Sequence, residues 1–179
     1  RTLLVLHVRQ GGATRSIALQ TAEMDEYGQV QRQTKNYDVT IPPGTEPGAR
    51  IRLTGQGSAG IGGGSAGDLY LRVNLAPHPR FRVAGRNLEM DLPIAPWEAA
   101  LGASIPIHGM EQELTLKIPA GTASGRNMRL RGQGFPARGK KPAGDLMVTL
   151  QIRVPERPSK RERELFEQLA DESNFNPRD

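Results

Sequence analysis

The sequence has no cysteine, only three histidines and no long hydrophobic run. Each shortage removes a class of protein. Without cysteine there is no disulfide framework, no Cys-based zinc or iron–sulfur site and no thiol nucleophile. His7, His78 and His108 stand apart from one another, with no second histidine or carboxylate at ligand spacing, so no bound metal and no cofactor are expected. The longest early apolar run, residues 3–6, is closed by His7 and Arg9, far short of the roughly 18 residues that cross a bilayer, and no membrane partner is expected. The first residue is not Met and no leader pattern follows it, as expected for a piece of a longer protein.

Turn formers are plentiful by contrast. Gly 21 and Pro 14 make up about a fifth of 179 residues, pointing to a turn-rich, mostly β chain. Lys and Arg outnumber Asp and Glu by 24 to 19, a net charge of +5 that mildly favours acidic partners. The dominant feature is an internal repeat. Residues 41–57 (IPPGTEPGARIRLTGQG) return 77 positions later as residues 118–134 (IPAGTASGRNMRLRGQG), with ten of the 17 pairs identical. At the same offset Ala66-Gly67-Asp68-Leu69 reappears as Ala143-Gly144-Asp145-Leu146. Two copies of one domain explain both matches.

Each copy reads as strands with one buried face. Leu69, Leu71, Val73 and Leu75 alternate with polar positions, as do Leu146, Val148, Leu150, Ile152 and Val154; residues 17–19, 88–94 and 114–118 follow the same period of two. The Pro-Pro-Gly and Pro-Ala-Gly runs after Ile41 and Ile118 are turns, and residues 76–80, with two prolines, form a short, stiff connection. Residues 96–102 read as a short helix entered through Pro96 and stopped by Gly102, with Trp97 and Leu101 on one face. Ser159 and Glu162 form a capping box, after which Leu165, Phe166, Leu169 and Ala170 line one side of a helix running to about Glu172. The expected fold is therefore all-β: two tandem homologous β-sandwich-like domains with short helices, residues 1–78 and 79–156, then a C-terminal dimerisation helix and tail, residues 157–179.

Nothing in the sequence assembles catalytic residues, so no enzyme is expected. Gly55-Gln56-Gly57-Ser58-Ala59-Gly60 matches a dinucleotide-binding pattern, yet the glycines that follow cannot open a helix, and the segment reads as a mobile hairpin loop. Residues 134–141 resemble a phosphate-cradling loop with Lys141 where a Ser or Thr must hold magnesium, and read as a basic loop.

Six motifs, in order from about Gly12 to the end, resemble the C-terminal substrate-binding region of J-domain co-chaperones that lack a zinc module, the group that includes DnaJ-like and curved-DNA-binding proteins. They are Val39-Thr40-Ile41-Pro42-Pro43-Gly44; Arg50-Ile51-Arg52-Leu53 with Gly55-Gln56-Gly57; Gly67-Asp68-Leu69-Tyr70-Leu71; Pro77-His78-Pro79 with Phe81; Leu92-Pro93-Ile94 with Pro96-Trp97-Glu98-Ala99-Ala100-Leu101-Gly102; and Asn174-Phe175-Asn176-Pro177-Arg178. The resemblance implies a cytoplasmic co-chaperone module whose partners are unfolded polypeptides, a DnaK-type chaperone and a second copy of itself. It places an apolar peptide groove on Ile17, Leu19 and Phe81, with Leu4 and Leu6 as a further wall. It makes Arg15 and Lys35 the grip on an acidic tail of the partner chaperone, and Leu165, Phe166 and Leu169 the dimer contact. The plain alternatives are that Ile17 and Leu19 are ordinary core residues, that Arg15 is a solvated edge charge, and that the helical stripe folds back on the second domain. Residues 3–8 lead straight into Arg9-Gln10-Gly11-Gly12 without the acidic turn usual in the family, so the first strand is expected to be shortened or altered. The J domain's His-Pro-Asp triplet is absent, since His78-Pro79 is followed by Arg80. A second expectation is DNA binding through Arg126, Arg129, Arg131, Arg138, Lys140 and Lys141, and a third is a purely architectural repeat.

Overall fold

The computed structural model describes residues 2–8, 14–24, 30–57, 64–110 and 112–178; for strand residues 2–8, 15, 19–24 and 30–33 it describes the backbone alone. The element order is β1 (Thr2–Val8), β2 (Thr14–Met24), β3 (Val30–Thr40), β4 (Arg50–Leu53), β5 (Leu69–Leu75), β6 (Arg82–Ala84), β7 (Asn87–Ile94), α1 (Pro96–Leu101), β8 (Ala103–His108), β9 (Glu113–Ile118), β10 (Asn127–Leu130), β11 (Leu146–Ile152) and α2 (Lys160–Glu172). It is an all-β chain with two short helices.

The sequence repeat is a structural repeat. In the first sheet, β5 lies between β1, to which it is parallel, and β4, to which it is antiparallel. In the second, β11 lies between parallel β7 and antiparallel β10, and β6 extends the far edge of β7. Each sheet is accompanied by an antiparallel hairpin, β2–β3 in the first copy and β8–β9 in the second. β1 pairs with β5 along its whole length, Thr2 opposite Leu69 through Val8 opposite Leu75, so it is not short relative to its partner.

The polar skeleton repeats as faithfully as the strands. Arg52 Nε donates to Asp68 Oδ2 at 2.7 Å and the Gly55 N–H to Asp68 Oδ1 at 3.1 Å; 77 residues on, Arg129 Nε donates to Asp145 Oδ2 at 2.7 Å and the Gly132 N–H to Asp145 Oδ1 at 2.8 Å. Thr45 and Thr122, both buried, donate their hydroxyls at 2.6 Å to the Pro42 and Pro119 carbonyls, which closes the two proline turns. At the loop necks the Gly57 N–H reaches the Gly67 carbonyl and the Gly134 N–H the Gly144 carbonyl, at 2.7 and 2.9 Å. The interior of the first loop, residues 58–63, on which the dinucleotide-type pattern partly falls, lies outside the described residues. The Gly132 N–H, and after it Arg129, hold the Asp145 carboxyl below the ordinary aspartate range, because both bind its charged form.

Two hydrophobic clusters form on this frame. The first is Val39, Ile41, Leu69, Leu71 and Val73. Shifted by 77, all five positions reappear in the second as Leu116, Ile118, Leu146, Val148 and Leu150, joined there by Phe81, Leu88, Met90, Ile94, Ala99 and Ile107. In β5, β7, β9 and β11 the alternation read from the sequence is the alternation of inward and outward residues. It stops one step early in β11: the Arg153 N–H bonds to the Ile94 carbonyl, Pro155 can add no further rung, and Val154 is exposed outside the strand. In α1, Glu98 accepts the Ala95 N–H at 2.7 Å and Ala99 is the buried residue, while Trp97 and Leu101 point into solvent. α2 starts at the expected capping box, with Ser159 Oγ accepting the Glu162 N–H and Glu162 Oε2 the Ser159 N–H. Among the described residues no helix is long and apolar enough to cross a membrane.

Leu69 and Leu146 occupy the same buried site in the two copies, so Leu69→Ala and Leu146→Ala should each lower stability by about 2–5 kcal/mol in urea unfolding. Because the folded Asp145 carboxyl lies below its unfolded value, its contribution is complete above that value and is lost as pH falls through the folded one. Stability should therefore hold from pH 7 to pH 5 and drop below about pH 4. Asp145→Asn should be less stable at pH 7 and show a shallower acid loss.

Candidate functional site

The two cores meet where three short segments converge: the 42–48 turn after β3, the 76–81 connection after β5, and the 133–144 loop before β11. Two prolines hold the connection extended, and His78 folds its end. The imidazole Nδ1 accepts the Arg80 and Phe81 N–H groups at 3.2 and 3.3 Å, which assigns Nε2 as the protonated nitrogen of the neutral ring. The ring lies 4.9 Å from that of Phe81, and the Arg80 guanidinium carbon sits 5.5 Å from the centre of the same phenyl ring. Phe81, 4% exposed, is thereby seated in the second core while its edge reaches the junction.

A cavity of about 550 Å³ opens there. Its walls are mainly apolar: Pro43 and Pro47 of the turn, Leu75 at the end of β5, Phe81, Val83 on β6 and Phe135 of the loop. Val83 is 42% exposed although its neighbours in sequence order are strand residues, because β6 is an edge strand. The cation at the rim is already paired. Arg82 donates from Nη1 and Nη2 to the two oxygens of Asp91 at 2.8 and 3.0 Å. That pair raises the Arg82 pKa and lowers that of Asp91.

A second polar group ties the junction together. Glu46 Oε1 accepts Arg86 Nη1 at 2.7 Å and Lys141 Nζ at 2.8 Å. Arg86 donates further to the Pro136 and Pro142 carbonyls, and Arg138 Nη1 to Thr45 Oγ1. The hydrogen bond from Lys141, followed by that from Arg86, keeps the Glu46 carboxyl below the ordinary glutamate range. In the sequence these groups are up to 95 residues apart. The one signal for them is a mismatch inside the repeat, since Glu46 stands where the second copy has Ala123.

The residues singled out from the sequence fall in three places. Phe81 lines the cavity. Ile17 lies opposite Tyr37 in the β2–β3 hairpin, half-buried against the first core, while Arg15 pairs with Val39 and Leu19 with Lys35 along the same ladder. The side chains of Leu4, Leu6, Arg15 and Leu19 lie outside the described residues. Leu165 and Leu169 are 48% and 63% exposed and Phe166 is half-buried, so the stripe of α2 is not folded back under the second sheet. Of the basic cluster, Arg129 is bound to Asp145, Arg138 to Thr45 and Lys141 to Glu46, and the 134–141 loop is a tight turn in which Arg138 and Lys141 bridge each other. Among the described residues no group of three or more His, Asp or Glu side chains gathers as metal ligands.

Comparison with known proteins gives one consistent result. The family described as DnaJ C terminal domain matches residues 6–155. A curved DNA-binding protein of Serratia proteamaculans (strain 568) is 41% identical over 177 residues, covering 98% of this chain and 57% of that relative. Proteins of the same name from Coxiella burnetii (strain RSA 493 / Nine Mile phase I) and Salmonella newport (strain SL254) are 41% identical over 179 and 166 residues, covering 56% and 54% of their own lengths. The chain therefore spans little more than half of the curated relatives it matches.

The His78 turn can be tested directly. His78→Ala should lower stability by about 1 kcal/mol and speed amide hydrogen exchange at Arg80 and Phe81. His78→Asn, which keeps an acceptor at similar reach, should restore most of the protection.

Proposed function

The chain belongs to the DnaJ C-terminal domain family, and from that premise we propose that it is a co-chaperone module that holds exposed apolar segments of unfolded polypeptides for a DnaK-type chaperone. The observation that carries this reading is the open cavity at the junction. Its volume is that of ordinary ligand sites, its walls are mainly aliphatic and aromatic, and Arg82 beside it is paired with Asp91, so it offers an apolar side chain a site that does not select for charge. The adjoining β2–β3 hairpin, with Ile17 and Leu19, supplies the rest of the peptide surface, extended backbone adding to a sheet edge without reading sequence. Arg15 and Lys35 on the same ladder serve the acidic tail of the partner chaperone.

In this reading residues 1–78 and 79–156 are two β-domains, and residues 157–179 carry the dimer contact. The exposed stripe of Leu165, Phe166 and Leu169 packs against the same stripe of a second copy about a two-fold axis, which presents two cavities to one client chain and raises its effective affinity. The relatives' name favours DNA as a second ligand. That reading places phosphates on Arg126, Arg131 and Lys140, the members of the basic cluster other than Arg129, Arg138 and Lys141, which bond Asp145, Thr45 and Glu46.

Fluorescence anisotropy of a labelled, permanently unfolded polypeptide separates the two ligands. Polypeptide binding should saturate and lose no more than about tenfold in high salt, whereas binding of a DNA duplex should fall by orders of magnitude. Val83→Asp, on an exposed edge strand, should weaken polypeptide binding by about tenfold with an unchanged melting temperature. Unaltered binding would refute the cavity as the client site. Leu169→Glu should turn the dimer into a monomer in sedimentation velocity and leave the fold intact.

A further inference from the structure

The 77-residue repeat separates what the β fold needs from what the junction needs. Arg52–Asp68 and Arg129–Asp145, the Thr45 and Thr122 turn bonds and the two glycine necks occur in both copies and belong to the fold. Glu46 does not: Ala123 stands at its place in the second copy, exposed, in a turn of the same conformation. The neighbouring glycines make the same distinction. Gly44 and Gly121 both have positive φ, 69° and 72°, but a Cβ on Gly121 would meet nothing within 4 Å, whereas one on Gly44 would come within 2.6 Å of the Pro136 carbonyl oxygen of the other unit. The first turn is therefore shaped for a close approach that the second lacks.

From this asymmetry we infer that Glu46 is an ionic latch: by binding Arg86 and Lys141 together it fixes the angle between the two β units and so sets the width of the cavity between them. Among the described residues the units are tied by the covalent 76–81 connection, by this carboxylate with its two cations, and by the neutral-acceptor bond from Arg138 to Thr45. Arg86 carries the hold into the opposite wall, since the same guanidinium that meets Glu46 binds the Pro136 and Pro142 carbonyls of the 133–144 loop. Pro43 and Pro47, on the turn that bears Glu46, and Pro136, on the loop that Arg86 holds, all line the cavity. Releasing Glu46 leaves the two walls joined through the connection and the single Arg138–Thr45 hydrogen bond. Glu46 and Lys141 remain partly open to water, so the latch yields to salt while the apolar walls do not.

The effect on client binding rests on the reading of the cavity as the polypeptide site; the effect on the angle does not. Because the chain has no cysteine, dyes can be placed on two introduced ones, Thr54→Cys and Thr115→Cys, at exposed positions of the two units, with excess unlabelled protein to suppress transfer between copies. Glu46→Ala gives the first turn the residue with which the second already folds. It should lengthen and broaden the inter-dye distance by energy transfer and weaken binding of the unfolded polypeptide by at least about fivefold. Wild type should approach the variant in 1 M salt, and Ala123→Glu should change neither readout. An inter-dye distance indifferent to Glu46→Ala would overturn the latch. A changed distance with unchanged polypeptide affinity, where Val83→Asp still impairs binding, would overturn its control of the cavity. If Val83→Asp is also without effect, the cavity reading itself fails and the coupling to binding falls with it.

Discussion

A strand sealed on one face and hydrogen-bonded along both edges can be ordered only if every residue of its register is right, and β5 and β11 impose that requirement on each half of the molecule. Each runs between a parallel and an antiparallel neighbour and carries three core residues, Leu69, Leu71 and Val73 in one copy and Leu146, Val148 and Leu150 in the other. A slip by one residue would turn all three towards water. Their entry is set by an aspartate immediately before the strand, whose carboxylate takes a backbone N–H across the loop and an arginine from the neighbouring strand. Loops of different content can therefore be hung between Gly57 and Gly67, or between Gly134 and Gly144, without moving the strand that follows.

The duplication has a physical cost that the molecule meets at one place. Two small β units each bury a limited core, and their junction is too open to be held by apolar packing alone, as the cavity there attests. What joins them is a folded connection, capped by His78, a carboxylate shared by two cations from the other unit, and the Arg138–Thr45 hydrogen bond. These devices leave the apolar walls uncovered. A junction filled by close-packed side chains would be more stable and would have no room for a guest. The arrangement leaves apolar surface uncovered at the junction, with polar groups, not packed side chains, fixing how the two units meet.

That division of labour also changes how the positive charge is read. Counted along the chain, six Lys and Arg residues crowd residues 126–141; placed in space, Arg129 serves its own loop, while Arg138 and Lys141 serve the first unit. Half of the cluster is consumed in holding the structure.

Much of this was legible in the sequence because it obeys local or periodic rules. The strand faces follow from a period of two, the start of α2 from a reciprocal hydrogen bond four residues long, the turns from prolines that cannot donate, and the two-unit plan from the repeat. The family resemblance followed from the same segments. Phe81 was singled out from its motif, but its double position, core on one side and cavity on the other, was not visible, nor was the exposure of Trp97 and Leu101, whose helical spacing alone does not say which face meets the sheet. By itself the sequence determined the all-β class, the duplication and the inward faces of β5, β7, β9 and β11, since these depend on neighbours within a few residues or on identity at a fixed offset. Only the tertiary structure decided how the two copies meet, because Glu46, Arg86 and Lys141 are far apart in the chain and no periodicity links them: their pairing, and the cavity it frames, exist only once both units are folded and brought together.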